Sequence, residues 1–138
     1  MSLTPGIRLG PYEIVSALGA GGMGEVYKAR DTRLDRIVAI KILATGAASD
    51  PLRLRRFEHE ARAVAALNHP NICALYDIGS EQSGGGAIHF LVMEHLEGDT
   101  LLRRLRRGPL PLAQALECGA QIADALARRT VRASSTAT

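Results

Sequence analysis

Gly19-Ala-Gly-Gly-Met-Gly24-Glu-Val-Tyr27, followed by Val38-Ala-Ile-Lys41, is the stretch that decides how this chain is read. The first run spaces Gly19, Gly21 and Gly24 as G-x-G-x-x-G, with Val26 two residues beyond. The second ends an apolar stretch on a lone lysine. Glycine is needed where backbone N–H groups must approach phosphate oxygens without a Cβ in the way. A lysine ammonium nearby neutralises those oxygens as a compact point charge. Together the two runs specify a phosphate clamp.

A dinucleotide-binding turn uses the same glycine spacing, but it needs a strand before it, a helix after it and an acidic residue about 20 positions on. Here Tyr12–Leu18 reads as a strand. After Gly24, Val26, Lys28 and Arg30 alternate with Tyr27, Ala29 and Asp31, which is strand periodicity. The glycines therefore join two antiparallel strands and form a flap over a ligand. The charged residue that follows is Lys41, the wrong sign for a ribose hydroxyl.

Working outward, the strands are expected over Tyr12–Leu18, Glu25–Asp31, Arg36–Ile42, Cys73–Ser80 and Ile88–Glu94. One long helix begins after Asp50-Pro51, an N-cap followed by proline at the first helical position, and runs to about Leu67. Its apolar stripe is Phe57, Ala61, Val64 and Leu67. Glu60 lies at the edge of that stripe. A carboxylate there either meets a cation, for which Lys41 is the natural partner, or reaches solvent. Gly84-Gly-Gly86, within Ser80–Gly86, is a flexible hairpin connection. After Phe90-Leu-Val-Met93 the apolar density gives way to glycine and charge, which marks a connector between two bodies.

Composition bounds the remainder. The chain has 138 residues, 46% of them hydrophobic, enough for one ordinary globular domain. Cys73 and Cys118 have no metal-ligand spacing and read as buried thiols in a reducing compartment. No charged n-region precedes an apolar core, and the stretch around Phe90–Met93 is far too short to span a bilayer, so a cytoplasmic protein is expected. Net charge is +3, too small to argue for nucleic acid. Arg103, Arg104, Arg106 and Arg107 read as a solvated helix face, since no aromatic residues are interleaved. His59 sits on the polar side of the helix, and His69-Pro-Asn-Ile72 is a structural turn. No metal site is expected from either histidine.

The glycine run, the strand lysine, Phe57-Glu-His-Glu60-Ala-Arg, His69-Pro-Asn-Ile72 and the connector Met93-Glu-His-Leu96 together resemble bacterial-type serine/threonine protein kinases, from about Tyr12 to Ala127. The resemblance implies an α+β fold: a kinase-like N-lobe, with a five-stranded antiparallel sheet and an αC helix, followed by the first helices of an incomplete helical C-lobe. The expected divisions are a lead over 1–11, an ATP-binding lobe over 12–96, hinge exit and first C-lobe helices over 97–127, and a tail over 128–138. By resemblance, Glu60 pairs with Lys41 and holds it against the α- and β-phosphates. Gly19, Ala20, Gly21, Gly22, Met23 and Gly24 cover the phosphates. Leu18, Val26 and Ala39 sandwich the adenine, and Met93 stands behind it. The carbonyl of Glu94 and the backbone of Leu96 bond its edge, and Asp99 approaches the ribose. Many relatives carry tyrosine where this chain has His95, which matters little if the backbone makes the contact. The implied reaction passes the γ-phosphoryl of ATP to a protein serine or threonine hydroxyl.

The parts that perform that transfer are not found. The family pattern calls for a His-Arg-Asp loop after Leu112–Ala127, with a later metal-binding asparagine and an Asp-Phe-Gly magnesium site. The residues Arg128–Thr138 contain no aspartate or asparagine. The catalytic aspartate is therefore absent, and magnesium is expected only in a full-length parent, along with the protein substrate. Back-translated with mostly G/C third positions, the tail from Arg129 reads His-Gly-Pro-Gly-Ile-Val-His-Arg-Asp in another frame, which is the expectation for a frameshift near Ala127–Arg129. Leu112, Leu116, Gly119, Ile122, Ala123 and Leu126 form a stripe suited to a larger helical lobe, so self-association or a poorly ordered C-terminus is expected. The rival readings are a non-catalytic nucleotide-binding or interaction module and, more weakly, an RNA-binding scaffold using the arginine face.

Overall fold

The computed structural model describes residues 2–21, 24–43 and 50–135. The chain divides into two units, Met1–Ala66 with Ala74–His95, and Leu67–Cys73 with Leu96–Thr138.

The first unit is built on one antiparallel sheet. Its strands are β1 (Arg8–Leu9), β2 (Tyr12–Gly21), β3 (Gly24–Asp31), β4 (Arg36–Ile42), β5 (Leu75–Ser83) and β6 (Gly86–Glu94), ordered β1-β2-β3-β4-β6-β5. Helix α1 spans Pro51–Ala65. The sheet therefore has six strands rather than five. The extra one lies in the segment read as a lead, where Arg8 pairs with Glu13 and Leu9 with Tyr12. Two residues carry no period of their own, so only pairing across the Gly10-Pro11 turn reveals them.

One face of the sheet is the core. Tyr12 and Ile14 of β2, Tyr27 and Ala29 of β3, Val38 and Ile40 of β4, and Phe90 and Val92 of β6 are buried together with Leu9. The period-2 alternation of each strand puts these residues on one side. Tyr12 and Phe90 meet edge to face, with ring centroids 6.1 Å apart. Asp31 is the buried polar residue of this face, and its carboxylate accepts from the backbone N–H groups of Arg33 (2.9 Å) and Leu34 (3.2 Å), which closes the β3–β4 turn. The β5–β6 connection is tighter than expected. Ser83 pairs with Gly86, so the turn is Gly84-Gly85 alone, and Gly86 takes φ 119°.

The Asp50 side chain accepts from Leu52 N–H at 3.0 Å, and Pro51 opens the helix. The helix ends at Ala65, two residues short of expectation. Ala61 is its buried residue, with Phe57 and Val64 half-buried beside it, as the stripe predicts.

The second unit holds the His69 turn, α2 (Leu101–Leu105) and α3 (Leu112–Ser135). His69 Nδ1 accepts from Asn71 N–H at 3.0 Å, and Nε2 lies 3.0 Å from an oxygen of Asp124 on α3. Because Nδ1 accepts, Nε2 carries the proton and donates to the carboxylate. The histidine is a structural fastener, as its turn context predicts. Helix α2 is shorter than the arginine cluster implied: Arg106 is its C-cap, and Arg107 lies beyond it. Helix α3 is longer, running eight residues past Ala127, since no glycine or proline interrupts Arg128–Ser135. Cys73 and Cys118 are outside any disulfide and half-buried rather than fully buried.

Candidate functional site

The sheet face opposite the core carries most of the residues singled out by the sequence. Strand register places them in two rows. Gly19 pairs with Val26, Val26 with Lys41, and Lys41 with Leu91. In the next row Ser16 pairs with Lys28, Lys28 with Ala39, and Ala39 with Met93. Directly paired residues project to the same side. Val26, Ala39, Lys41 and Met93 therefore share one surface although they come from three strands. Leu91 belongs to the same surface and was missed; its position two residues before Met93 on a strand was the available signal. Ala39 is 6% exposed, a small side chain in the floor of this surface.

The glycine run sits at the end of the β2–β3 hairpin. Gly21 pairs with Gly24 across the turn, and Ala20 pairs with Glu25. Gly24 has φ 124°, a conformation that L-residues with a Cβ rarely adopt, so glycine is required there. Leu18 falls in the register break between Ala17 and Gly19 and is half exposed. The phosphate-covering roles assigned to Gly22 and Met23 lie outside the described residues.

Helix α1 packs on the same side of the sheet as Lys41. Leu54, Phe57, Glu58 and Arg62 of the helix face Leu75, Ile78 and His89 across a cavity of about 420 Å³. The expected Lys41–Glu60 ion pair is not closed: it is not among the ion pairs of the described residues, and Glu60 is exposed. Helix α1 contacts the sheet through β5, and neither Lys41 nor Glu60 lines the cavity there.

At the end of β6, Glu94 pairs with Val38 of β4. Its N–H donates to Ala74 O at 2.8 Å, and its carboxylate accepts from Ala74 N–H at 3.1 Å. Leu96 and Asp99 belong to the second unit, where Leu96 is exposed. Asp99 is gripped by arginines, with Arg103 Nε 3.5 Å from one oxygen and Arg107 bonded to the other. A ribose would have to compete with both. Among the described residues no group of three or more His, Cys, Asp or Glu side chains is placed to hold a metal ion.

A profile of the protein kinase domain matches residues 12–128. The chain belongs to the protein kinase family. It is 46% identical over 116 residues to the serine/threonine-protein kinase PknB of Mycobacterium leprae (strain TN), a match covering 83% of this chain and 19% of that protein. It is 44% identical over 119 residues to the serine/threonine-protein kinase PrkC of Bacillus subtilis (strain 168), covering 86% and 18% respectively. Among solved structures, the Mycobacterium tuberculosis PknI kinase domain superposes with a TM-score of 0.82 at 28% identity, over 95% of this chain and 52% of that one. The chain thus spans about a fifth of the length of its curated relatives and about half of a solved kinase domain. It is a partial serine/threonine kinase domain with a mixed α+β fold. This kinase segment has no helix, among the described residues, long and apolar enough to cross a membrane.

Proposed function

We propose that this chain is the ATP-binding portion of a kinase that phosphorylates serine and threonine hydroxyls of proteins. The observation that carries this reading is the shared face of Val26, Ala39, Lys41 and Met93 beneath a hairpin that ends in glycines. The adenine lies between Leu18, Val26 and Ala39, with Ala39 small enough to admit it, Met93 behind it and the backbone of Glu94 at its edge. Lys41 meets the phosphates, and the backbone N–H groups of Gly19–Gly24 cover them. Glu60 is proposed to pair with Lys41 when nucleotide is bound.

ATP, when bound, supplies the phosphoryl group. The residues after Ala127 offer no aspartate or asparagine for the catalytic and metal-binding roles of the family pattern. As it stands, the chain is proposed to bind nucleotide without transferring phosphate, with transfer left to residues of a complete domain. The same observation favours a second reading, a non-catalytic nucleotide-binding module.

A thermal-shift titration tests the shared core of both. A ligand that binds only the folded state raises the melting temperature in proportion to its affinity and concentration. MgATP is expected to raise the midpoint of the wild-type chain and to leave Lys41→Ala unmoved. An unchanged wild-type midpoint at millimolar MgATP overturns the nucleotide reading. Phosphotransfer to a generic protein substrate, retained after removal of contaminating kinases, overturns the inactivity.

A further inference from the structure

The glycine-bearing hairpin has little to hold it on the β2 side. Burial on β2 stops at Ile14, and residues 15–20 are all exposed. Residues 15–20 therefore lie beyond the core, and whatever steadies this arm of the hairpin must come through β3. Tyr27 is the buried β3 side chain nearest the tip, at 2% exposure, and Glu25 stands two residues further out on the same face. Both lie on the side opposite Val26 and Lys41, away from the proposed nucleotide surface.

Residues of the N-terminal segment meet both. Leu3 N–H donates to Tyr27 Oη at 3.0 Å, the Tyr27 hydroxyl donates to a Glu25 oxygen, and Ser2 Oγ donates to the other Glu25 oxygen at 3.2 Å. The Leu3 side chain packs against the sheet core. The segment is itself anchored downstream, by Gly6 N–H to Ile14 O and Ile14 N–H to Ile7 O, both at 2.8 Å, and by the pairing of β1 with β2. The result is a closed relay from amide to phenol to carboxylate to serine hydroxyl. In such a chain each bond polarises the next. The titration directions agree: burial and then the Glu25 bond raise the Tyr27 pKa, and the Tyr27 bond lowers that of Glu25.

We propose that Tyr27 and Glu25 are positioning residues that tie the glycine-rich hairpin to Ser2 and Leu3, making this N-terminal segment a strap on the back of the nucleotide-binding element. The strap leaves the nucleotide surface uncovered. It limits the excursions of the hairpin and so lowers the entropy lost when the glycines close over phosphate. Its effect on affinity rests on the function proposed above; its effect on hairpin order does not.

The experiment combines site-resolved amide hydrogen exchange without nucleotide and MgATP affinity by calorimetry. It compares the wild-type chain with Tyr27→Phe, Glu25→Ala, Glu25→Gln and a variant lacking residues 2–5. The expected result is faster exchange concentrated in 15–26 for Tyr27→Phe, Glu25→Ala and the deletion, with β4 and β6 unchanged. MgATP affinity is expected to fall about three- to tenfold in these variants, the equivalent of one ordinary hydrogen bond. Glu25→Gln, whose amide oxygen still accepts from Tyr27, is expected to retain most of the affinity, which a loss of general stability would not predict. Wild-type exchange in both Tyr27→Phe and the deletion variant overturns the strap. So does an increase spread evenly over the whole sheet. If the wild-type chain binds no MgATP, the proposed function fails, and the exchange pattern alone still decides whether the strap exists.

Discussion

Tyr12 illustrates how a single residue of this chain carries information that its letter does not. Its hydroxyl donates to Asp77 at 2.8 Å, and Arg33 approaches the same oxygen at 3.4 Å. Burial first, and the Asp77 bond second, push its pKa from 10.0 up to about 12. The folded state therefore favours the neutral phenol. That stabilisation is fully present below the unfolded-state value and is lost as pH rises through the folded one. Thermal melts followed by circular dichroism are expected to fall more steeply between pH 10 and 12 for the wild-type chain than for Tyr12→Phe. Parallel curves would show that the hydroxyl does not titrate against the fold. Lys41 and Glu60 teach the complementary lesson. The residue types were legible from Val38-Ala-Ile-Lys41 and from the helix stripe, but whether the pair closes depends on how far α1 stands from the sheet. No local period encodes that distance.

At the scale of elements, helix α1 and strand β5 each depend on one identifiable contact. The Asp50 cap satisfies an N–H at the start of α1, so Asp50→Ala is expected to destabilise the fold by about 1 kcal/mol in urea denaturation. Full retention of stability would mean that the helix start is held by tertiary contacts alone. Gly79 on β5 lies against the buried ring of Phe90, and a Cβ added there would overlap Cζ and Cε2 of that ring. Gly79→Ala is expected to cost about 1–3 kcal/mol through forced displacement of a packed aromatic. Gly79→Ala combined with Phe90→Leu should recover part of that loss if the clash is the cause. The helix start and the strand alternations were legible because they are local: an Asx-Pro pair and a period of two. The role of Gly79 was not, since Phe90 is eleven positions away along the chain and meets it only across the β5–β6 hairpin.

For the whole molecule, the consequential feature is the apolar stripe of α3. Leu112, Leu116, Ile122 and Leu126 are each between 49% and 76% exposed. An apolar face of this extent favours association. The chain is expected to sediment as a concentration-dependent mixture, and Leu116→Glu with Leu126→Glu to shift it toward monomer. A single monomeric species at all concentrations would refute this. Several properties were determined by the sequence alone: an antiparallel hairpin bearing glycines, a lysine strand, a capped amphipathic helix and kinase family membership. These reside in spacing and periodicity over a few neighbouring residues, which the chain carries wherever it folds. Tertiary structure alone decided the sixth strand at Arg8–Leu9, the open Lys41–Glu60 pair, the arginine grip on Asp99 and the strap from Ser2 and Leu3 to Glu25 and Tyr27. Each of these joins residues through space, and their energies depend on distances and burial that arise only when the sheet closes and the helices pack.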